Sequence, residues 1–447
     1  MAETQTSVNV FTKLERVAKQ AREVPELKFR TLAHHIDIDW LKEAYRRTRK
    51  DGAAGVDGQS AEEYAANLEE NLQSLLNRAK SGTYRAPPVK RAYVPKGDGD
   101  QRPIGIPTFE DKVLQRAVVM LLEAVYEQDF LACSYGFRPG RSAHQALADV
   151  QRETVWMAGG WILEVDIRKF FDNLEHGKLR DIVRLRVLDG VLLRLIGKWL
   201  NAGVLEDGSV SYPDKGSPQG GVISPLLANI YLHQVLDLWF EREVKPRLSG
   251  KALLFRYADD AVFLFANEMD ARRVLAVLGK RLERYGLTLH PLKTRLVNFR
   301  RPDRKGPHSS GAMHPETFDL LGFTHYWGKS RRGKWVVKRR TAKDRFTKAL
   351  KRVVDWCKMN RHHEVRWQWQ MLGRKLRGHF VYYGIIGNYE ALARFRYEVI
   401  GAWRRWLDRR SQRARMNWEK MHRLLERYRL PRPTIGRPLP LLRAVRP

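Results

Sequence analysis

Apolar residues recur every three to four positions over residues 9–24, 38–50 and 60–80, and the runs stop at turn-forming stretches such as "DGAAGVDG" and "SGTYRAPP". This spacing predicts three helices separated by tight turns. "KRAYVPKGDGDQRPIGIP" carries apolar residues on both sides of "GDGD" and reads as a β-hairpin. A helix follows from Glu110 to about Gln128, and "GGWILEVDIRKFFDNL" opens on a buried strand. Residues 176–201 read as helical, and "KGSPQGGVISPLLANIYLHQVLDLWFERE" as a loop running into a long apolar helix. The segments "ALLF" and "AVFLF" then predict a second hairpin, with Asp259 and Asp260 at or beside its tip. An amphipathic helix over 271–286, the turn "GLTLHPLKT" and a strand pair around "FDLLGFTHYW" follow.

Composition narrows the class. With 447 residues and 43% hydrophobic content, the chain can form two or three domains with a sizeable core. The start, "MAETQTSVNV", lacks the apolar segment of a signal peptide. The most hydrophobic window is broken by Pro225, Asn229 and His233, so a cytosolic protein without a membrane partner is expected. Only Cys133 and Cys357 are present, which excludes a disulfide framework and a four-cysteine zinc site.

Charge points to a partner. The chain holds 82 Lys and Arg against 50 Asp and Glu, net +32. Residues 301–447 carry 37 basic and 11 acidic side chains, net +26, together with eight of the thirteen tryptophans. An excess of this size repels itself unless a polyanion neutralises it, and basic residues interleaved with aromatic ones suit phosphate contact and base stacking. Nucleic acid is the expected partner.

Candidate chemistry lies in the acidic residues buried among apolar ones. Asp259 and Asp260 could simply serve the turn, since aspartate bonds nearby backbone amides. Asp166, however, ends the hydrophobic strand in "WILEVDIRKFFDN". If the two strands lie in one sheet, the three carboxylates converge and repulsion calls for cations, of which oxygen-seeking Mg²⁺ fits. Two such ions about 4 Å apart can activate a primer 3′-hydroxyl and stabilise a leaving pyrophosphate without any protein nucleophile.

With these residues in place the chain resembles reverse transcriptases, and closely those encoded by bacterial group II introns. Tyr257-Ala258-Asp259-Asp260 matches the family's Y-A-D-D box, and "EVDIRKFFDNL" its first catalytic strand. "PKGDGDQRPIGIP" matches the fingers hairpin, "KGSPQGGVISPLLANIYL" the block under the templating base pair, "GLTLHPLKT" the lysine-bearing turn and "LLGF" the primer grip. The resemblance implies an α+β right-hand polymerase: fingers and palm over 1–328, a helical thumb with a maturase-specific segment over 329–390, and a basic C-terminal domain over 391–447.

The same resemblance assigns sites. Asp166, Asp259 and Asp260 would be catalytic and, with Ile167, hold two Mg²⁺ ions. Lys96, Arg102, Ile167, Phe170, Phe171, Gln219 and Lys293 would surround the incoming nucleotide, although Lys293 could equally face the primer or be a plain surface lysine. Of the two phenylalanines, strand alternation favours Phe171 as the ring that excludes a 2′-hydroxyl, with Phe170 in the core. Gly220, Gly221, Leu321 and Gly322 would meet template and primer.

"TAKDRFTKALKRVVDWCKM" has Phe346, Leu350, Val353, Val354 and Cys357 on one stripe, as a thumb helix would. Arg374, Lys375, Arg377, Trp403, Arg404, Arg405 and Trp406 are the candidate RNA contacts. Expected partners are intron RNA, a DNA target or primer and deoxynucleotides, in a bacterial cytosol near the nucleoid. Many relatives continue into an H-N-H endonuclease that this sequence lacks, so nicking of a second strand is not expected. Two alternatives stay open: a maturase that only assists splicing, and a domesticated relative serving defence or repair.

Overall fold

The structure is a computed structural model and describes residues 2–95, 101–212, 215–216, 220–302, 316–411 and 415–436, without the side chains of residues 2–6. Lys96 and Gln219 lie outside the described residues. Helices are mixed with mainly antiparallel sheets, an α+β arrangement. The chain divides into two compact units, one of residues up to Ser142 plus Val165–Arg295, the other of Ala143–Glu164 plus Leu296 onward. Among the described residues no helix is long and apolar enough to cross a membrane.

In the first unit the helix Phe109–Asp129 has thirteen of its side chains buried, so other elements must surround most of it. Thr108 caps its start by accepting from the Asp111 amide at 3.2 Å. The helix Ile38–Arg47 packs on it through Trp40, whose indole nitrogen donates to the Ala117 carbonyl at 2.9 Å. Asp111 is fully buried, accepting from Tyr84 and from Trp199 Nε1 at 2.7 Å. Burial pushes its carboxyl up to about 6 against those hydrogen bonds.

Residues 176–201 form two helices, not one: His176–Arg184 and Gly190–Leu200. The break is chemical. One Asp189 oxygen caps the second helix through Val191 and Leu192, while the other accepts from the Leu32 and Ala33 amides at 2.6 and 2.8 Å. The first predicted hairpin forms as Val89–Pro95 against Gln101–Ile106, antiparallel, and Val89 and Lys90 pair in parallel with Val204 and Leu205. The long apolar helix starts as Ser224–Leu232 and continues through π-helical turns at His233–Asp237 and Trp239–Val244.

The second unit holds the helix Ala143–Trp156, which the apolar pattern left unassigned, and a three-stranded antiparallel sheet of Phe318–Leu320, Phe323–Lys329 and Trp335–Thr341. Gln151 joins them by donating to the Val337 carbonyl at 2.6 Å. Four helices follow: Lys343–Met359, Val365–Tyr383, Tyr389–Asp408 and Trp418–Arg427. They share one apolar core running from Val353 and Cys357 through Leu372, Phe395 and Trp403 to Leu430. This core crosses residue 390, and a cut near Asn388 would open it. Asn388 is itself buried, its amide oxygen accepting from the Thr341 backbone at 2.8 Å.

His325 is an exception to polar satisfaction in this sheet. Its ring is fully buried, stacked on Phe318 at 4.4 Å, and neither ring nitrogen has a hydrogen-bond partner among the described residues. Burial, reinforced by the Arg339 charge across the strand pair, lowers its pKa to about 3. The neutral ring is therefore the folded form. An unfolded chain would protonate this histidine near 6.5, so its contribution to stability is complete above that value and is lost as pH falls towards 3. Between pH 6 and 4 the loss from this residue should approach about 1.4 kcal/mol per pH unit. Urea unfolding across that range should show a shallower pH slope for His325→Phe than for the parent, and equal slopes would contradict the assignment.

Candidate active site

The hairpin Ala252–Tyr257 and Asp260–Phe265 pairs Tyr257 with Asp260, leaving Ala258 and Asp259 as a two-residue turn. Ala258 adopts φ +57°, a left-handed conformation that costs an alanine roughly 1–2 kcal/mol. Two contacts hold it there. Gly136 lies so close that a Cβ on it would meet the Ala258 nitrogen at 2.4 Å, and the Arg256 guanidinium donates to the Ala258 carbonyl at 3.0 Å.

Asp259 is mostly buried and its carboxyl is pushed up, first by burial and further by the charge of Asp166, with Arg102 opposing. Asp166 and Arg102 thus both lie within electrostatic reach of Asp259. Asp260 stands exposed at the head of the returning strand. Asp166 is about one third exposed, with Lys293 Nζ 3.4 Å from its Oδ2. Backbone bonds strap the lysine-bearing turn onto this segment: His290 donates to the Asp166 carbonyl at 2.8 Å, and Arg168 to the Thr288 carbonyl at 2.9 Å. Ile167 is buried and bridges Leu289. Among the described residues no three His, Cys, Asp or Glu side chains converge as a metal cage.

Arg256 was missed by sequence reasoning, although an arginine inside "LLFRY" is as conspicuous as the aspartates. It is fully buried and every guanidinium nitrogen is paired: with Asp237 at 2.7 and 2.6 Å, Asn229 at 2.9 Å and Ser134 at 2.8 Å, besides Ala258. Burial would raise the Asp237 carboxyl, but Arg256 outweighs it and holds the group below the usual carboxylate range. The π-helical turn explains how one helix supplies both Asn229 and Asp237. Eight residues of regular α-helix would rotate them about 80° apart, and the wider turn at His233–Asp237 reduces that angle.

The remaining candidates divide. Gly220 adopts φ +121°, and a Cβ there would meet the Gly105 carbonyl oxygen at 2.5 Å, so only glycine fits against the strand carrying Arg102. Gly221 is buried. Phe170 is buried beside Tyr231 and Phe171 is partly exposed. Strand alternation does not separate them. They sit in a 3₁₀ turn, Phe170–Asp172, entered through Lys169 at φ +46°. In the second unit, Leu321 and Gly322 form the turn between two strands, both left-handed at φ +51° and +79°, and Tyr382 donates to the Leu321 carbonyl at 2.9 Å.

Of the RNA candidates, Arg374, Lys375, Arg377 and Arg405 are exposed, while Arg404 and Trp406 are partly so. Trp403 is a correction. It is 0% exposed and donates from Nε1 to Gln368 Oε1 at 2.9 Å, so it is a core residue and offers no face to a base.

The Arg256 network makes a measurable claim about stability. Arg256→Met or Asp237→Leu alone strands a buried charge and should cost about 3–5 kcal/mol in urea unfolding. The double variant should cost much less than the sum, and additive losses would mean that the pair is not coupled.

Residues 94–325 match the family model described as "Reverse transcriptase (RNA-dependent DNA polymerase)". The chain is 38% identical over 251 residues to protein YkfC of Escherichia coli, covering 54% of this chain and 65% of that protein. It is 37% identical over 244 residues to the group II intron-encoded protein LtrA of Lactococcus lactis, covering 53% of this chain and 40% of that protein. A longer match, 26% identical over 456 residues, joins 88% of this chain to 56% of an uncharacterized 91 kDa protein in the cob intron of Schizosaccharomyces pombe. The alignments with YkfC and LtrA therefore span less than two thirds of those relatives' own length. A matched region enclosing Arg102, Asp166, Gly220, Asp259 and Lys293 places the chain in the reverse transcriptase family, among the relatives of group II intron-encoded proteins.

Proposed function

We propose that the chain is an RNA-directed DNA polymerase that also binds intron RNA as a maturase. The observation that carries the polymerase reading is the electrostatic coupling of Asp166 and Asp259 at a constrained hairpin tip, with Arg102 beside them. A carboxyl pushed up by burial beside a second carboxylate, both of them hard oxygen donors, fits a divalent cation, which would reverse that penalty. Asp166, Asp259, Asp260 and the Ile167 carbonyl would hold Mg²⁺. When bound, the ions would lower the pKa of a primer 3′-hydroxyl and stabilise charge on the reacting phosphate.

The chain's own residues would do the rest. Arg102, with Lys96, would grip the triphosphate of a deoxynucleotide. Lys293, already drawn to Asp166, would stand where it can reach either the triphosphate or the primer backbone. Gln219, Gly220 and Gly221 would lie beneath the templating pair, and the Leu321–Gly322 turn would hold the primer end. Phe171, the more exposed of the two rings, would exclude a 2′-hydroxyl. Residues 1–328 would act as fingers and palm, 329–390 as thumb and 391–447 as the basic RNA-binding end, the last two packed as one body on their shared core. The long match to a protein in the cob intron of Schizosaccharomyces pombe supports the maturase half.

Primer extension on an RNA template with Mg²⁺ tests the polymerase. Asp166→Ala and Asp259→Ala should each lower the rate by more than about a thousandfold, while thermal unfolding changes little. Extension within tenfold of the parent would overturn the assignment. Splicing of a group II intron by the same variants should persist, because RNA binding needs neither carboxylate. Phe171→Val should raise ribonucleotide use relative to deoxynucleotide use by roughly tenfold or more, whereas Phe170→Val should mainly lower stability.

A further inference from the structure

The second unit carries two aromatic side chains that its core does not use. Tyr397, on the helix Tyr389–Asp408, is 63% exposed, and Trp418, at the start of the next helix, is 37% exposed. Their rings lie 6.1 Å apart and 13° from parallel. Neither belongs to the apolar cluster that joins the four helices or to the side chains packed against it. A pair of large rings left partly open to water is apolar surface that a partner can cover.

Their surroundings show what they suit. The Arg404 guanidinium lies over the Trp418 ring, 4.8 Å from its centroid, and is held there by donating to the Met416 carbonyl at 3.0 Å. The ring of His422, one turn along the same helix, lies 6.0 Å from Trp418. Gly401, one turn beyond Tyr397, would place an added Cβ in open space, with nothing within 4 Å. A glycine inside a helix costs roughly 0.5–1 kcal/mol relative to alanine, and here no neighbouring side chain requires it. What it leaves is an unobstructed approach beside Tyr397 and Arg404.

We propose that Tyr397, Trp418 and Arg404 form a stacking subsite for an unpaired nucleobase. A flat π face is common to all bases, so stacking tolerates sequence, and a guanidinium against the stack adds cation–π attraction. Phosphates flanking the base meet a strongly basic surround, since residues 301–447 are net +26. The proposal rests on the RNA-binding reading above and gives it a location different from the buried Trp403.

The test compares a short single-stranded RNA with an oligomer of the same length in which every base is removed. Tyr397→Leu/Trp418→Leu should weaken binding of the RNA by about 10- to 100-fold. It should change binding of the abasic strand by less than about twofold and leave the slope of log affinity against log salt unaltered, because no phosphate contact is lost. Trp418→Phe, which keeps a ring, should retain most of the affinity and shows that the loss is not one of folding. An equal loss on single-stranded DNA assigns recognition to the base alone, and a loss confined to RNA adds the 2′-hydroxyl. Unchanged RNA affinity in the double variant, or an equal loss on the abasic strand, overturns the subsite. If the parent protein itself does not bind RNA, the RNA-binding reading fails with it.

Discussion

A guanidinium buried without a single exposed atom must be fully paired, because leaving one charge uncompensated in a protein interior costs several kcal/mol. Arg256 meets that condition by drawing on three separate pieces of chain: Ser134 before the first unit is interrupted, Asn229 and Asp237 on the long apolar helix, and the Ala258 carbonyl in its own hairpin. The consequence is positional. Ala258 immediately precedes Asp259, so the network that neutralises the arginine also fixes the backbone from which the carboxylate projects. The π-helical turn belongs to the same arrangement, since it brings Asn229 and Asp237 to one guanidinium.

Strain recurs at two of the turns that the family resemblance singled out. Ala258 and Leu321 are non-glycine residues in left-handed conformations, and each is held by an outside hydrogen bond to its own carbonyl, from Arg256 in one case and Tyr382 in the other. Residues in such conformations persist only where their surroundings over-determine them. The free energy comes from packing in the body of each unit and is concentrated where a backbone must stay still.

Much of this was legible in the sequence, and the omissions have physical causes. Asp166 and Asp259 stood out because charge is rare inside apolar runs, and the hairpins announced themselves by alternation around turn residues. Arg256 obeyed the same signal but could not be interpreted, since its partners lie 19, 27 and 122 residues away and one depends on a local departure from α-helical phase. The break within the helical stretch 176–201 was not legible, because Asp189 can cap a helix as readily as sit on its surface, and only its contacts with Leu32 and Ala33 decide. Trp403 was misread by composition. Leu392, Phe395, Val399 and Trp403 follow one helical face, and that phase would have sent Trp403 inwards and Tyr397 outwards.

The second unit is assembled from two stretches, Ala143–Glu164 and Leu296 onward, separated by about 130 residues that belong to the first unit. A ribosome adds roughly 5–20 residues per second, so this interval lasts on the order of 7 to 26 s. During it the helix Ala143–Trp156 has been synthesised but the strand Trp335–Thr341, whose Val337 carbonyl receives Gln151, has not. The apolar face of that helix, with Leu147 and Val150, must therefore wait in the cell without its final partner. Synthesis order thus leaves an early helix face without its later partner for that interval, in a chain whose units close only once residues beyond 296 have been made.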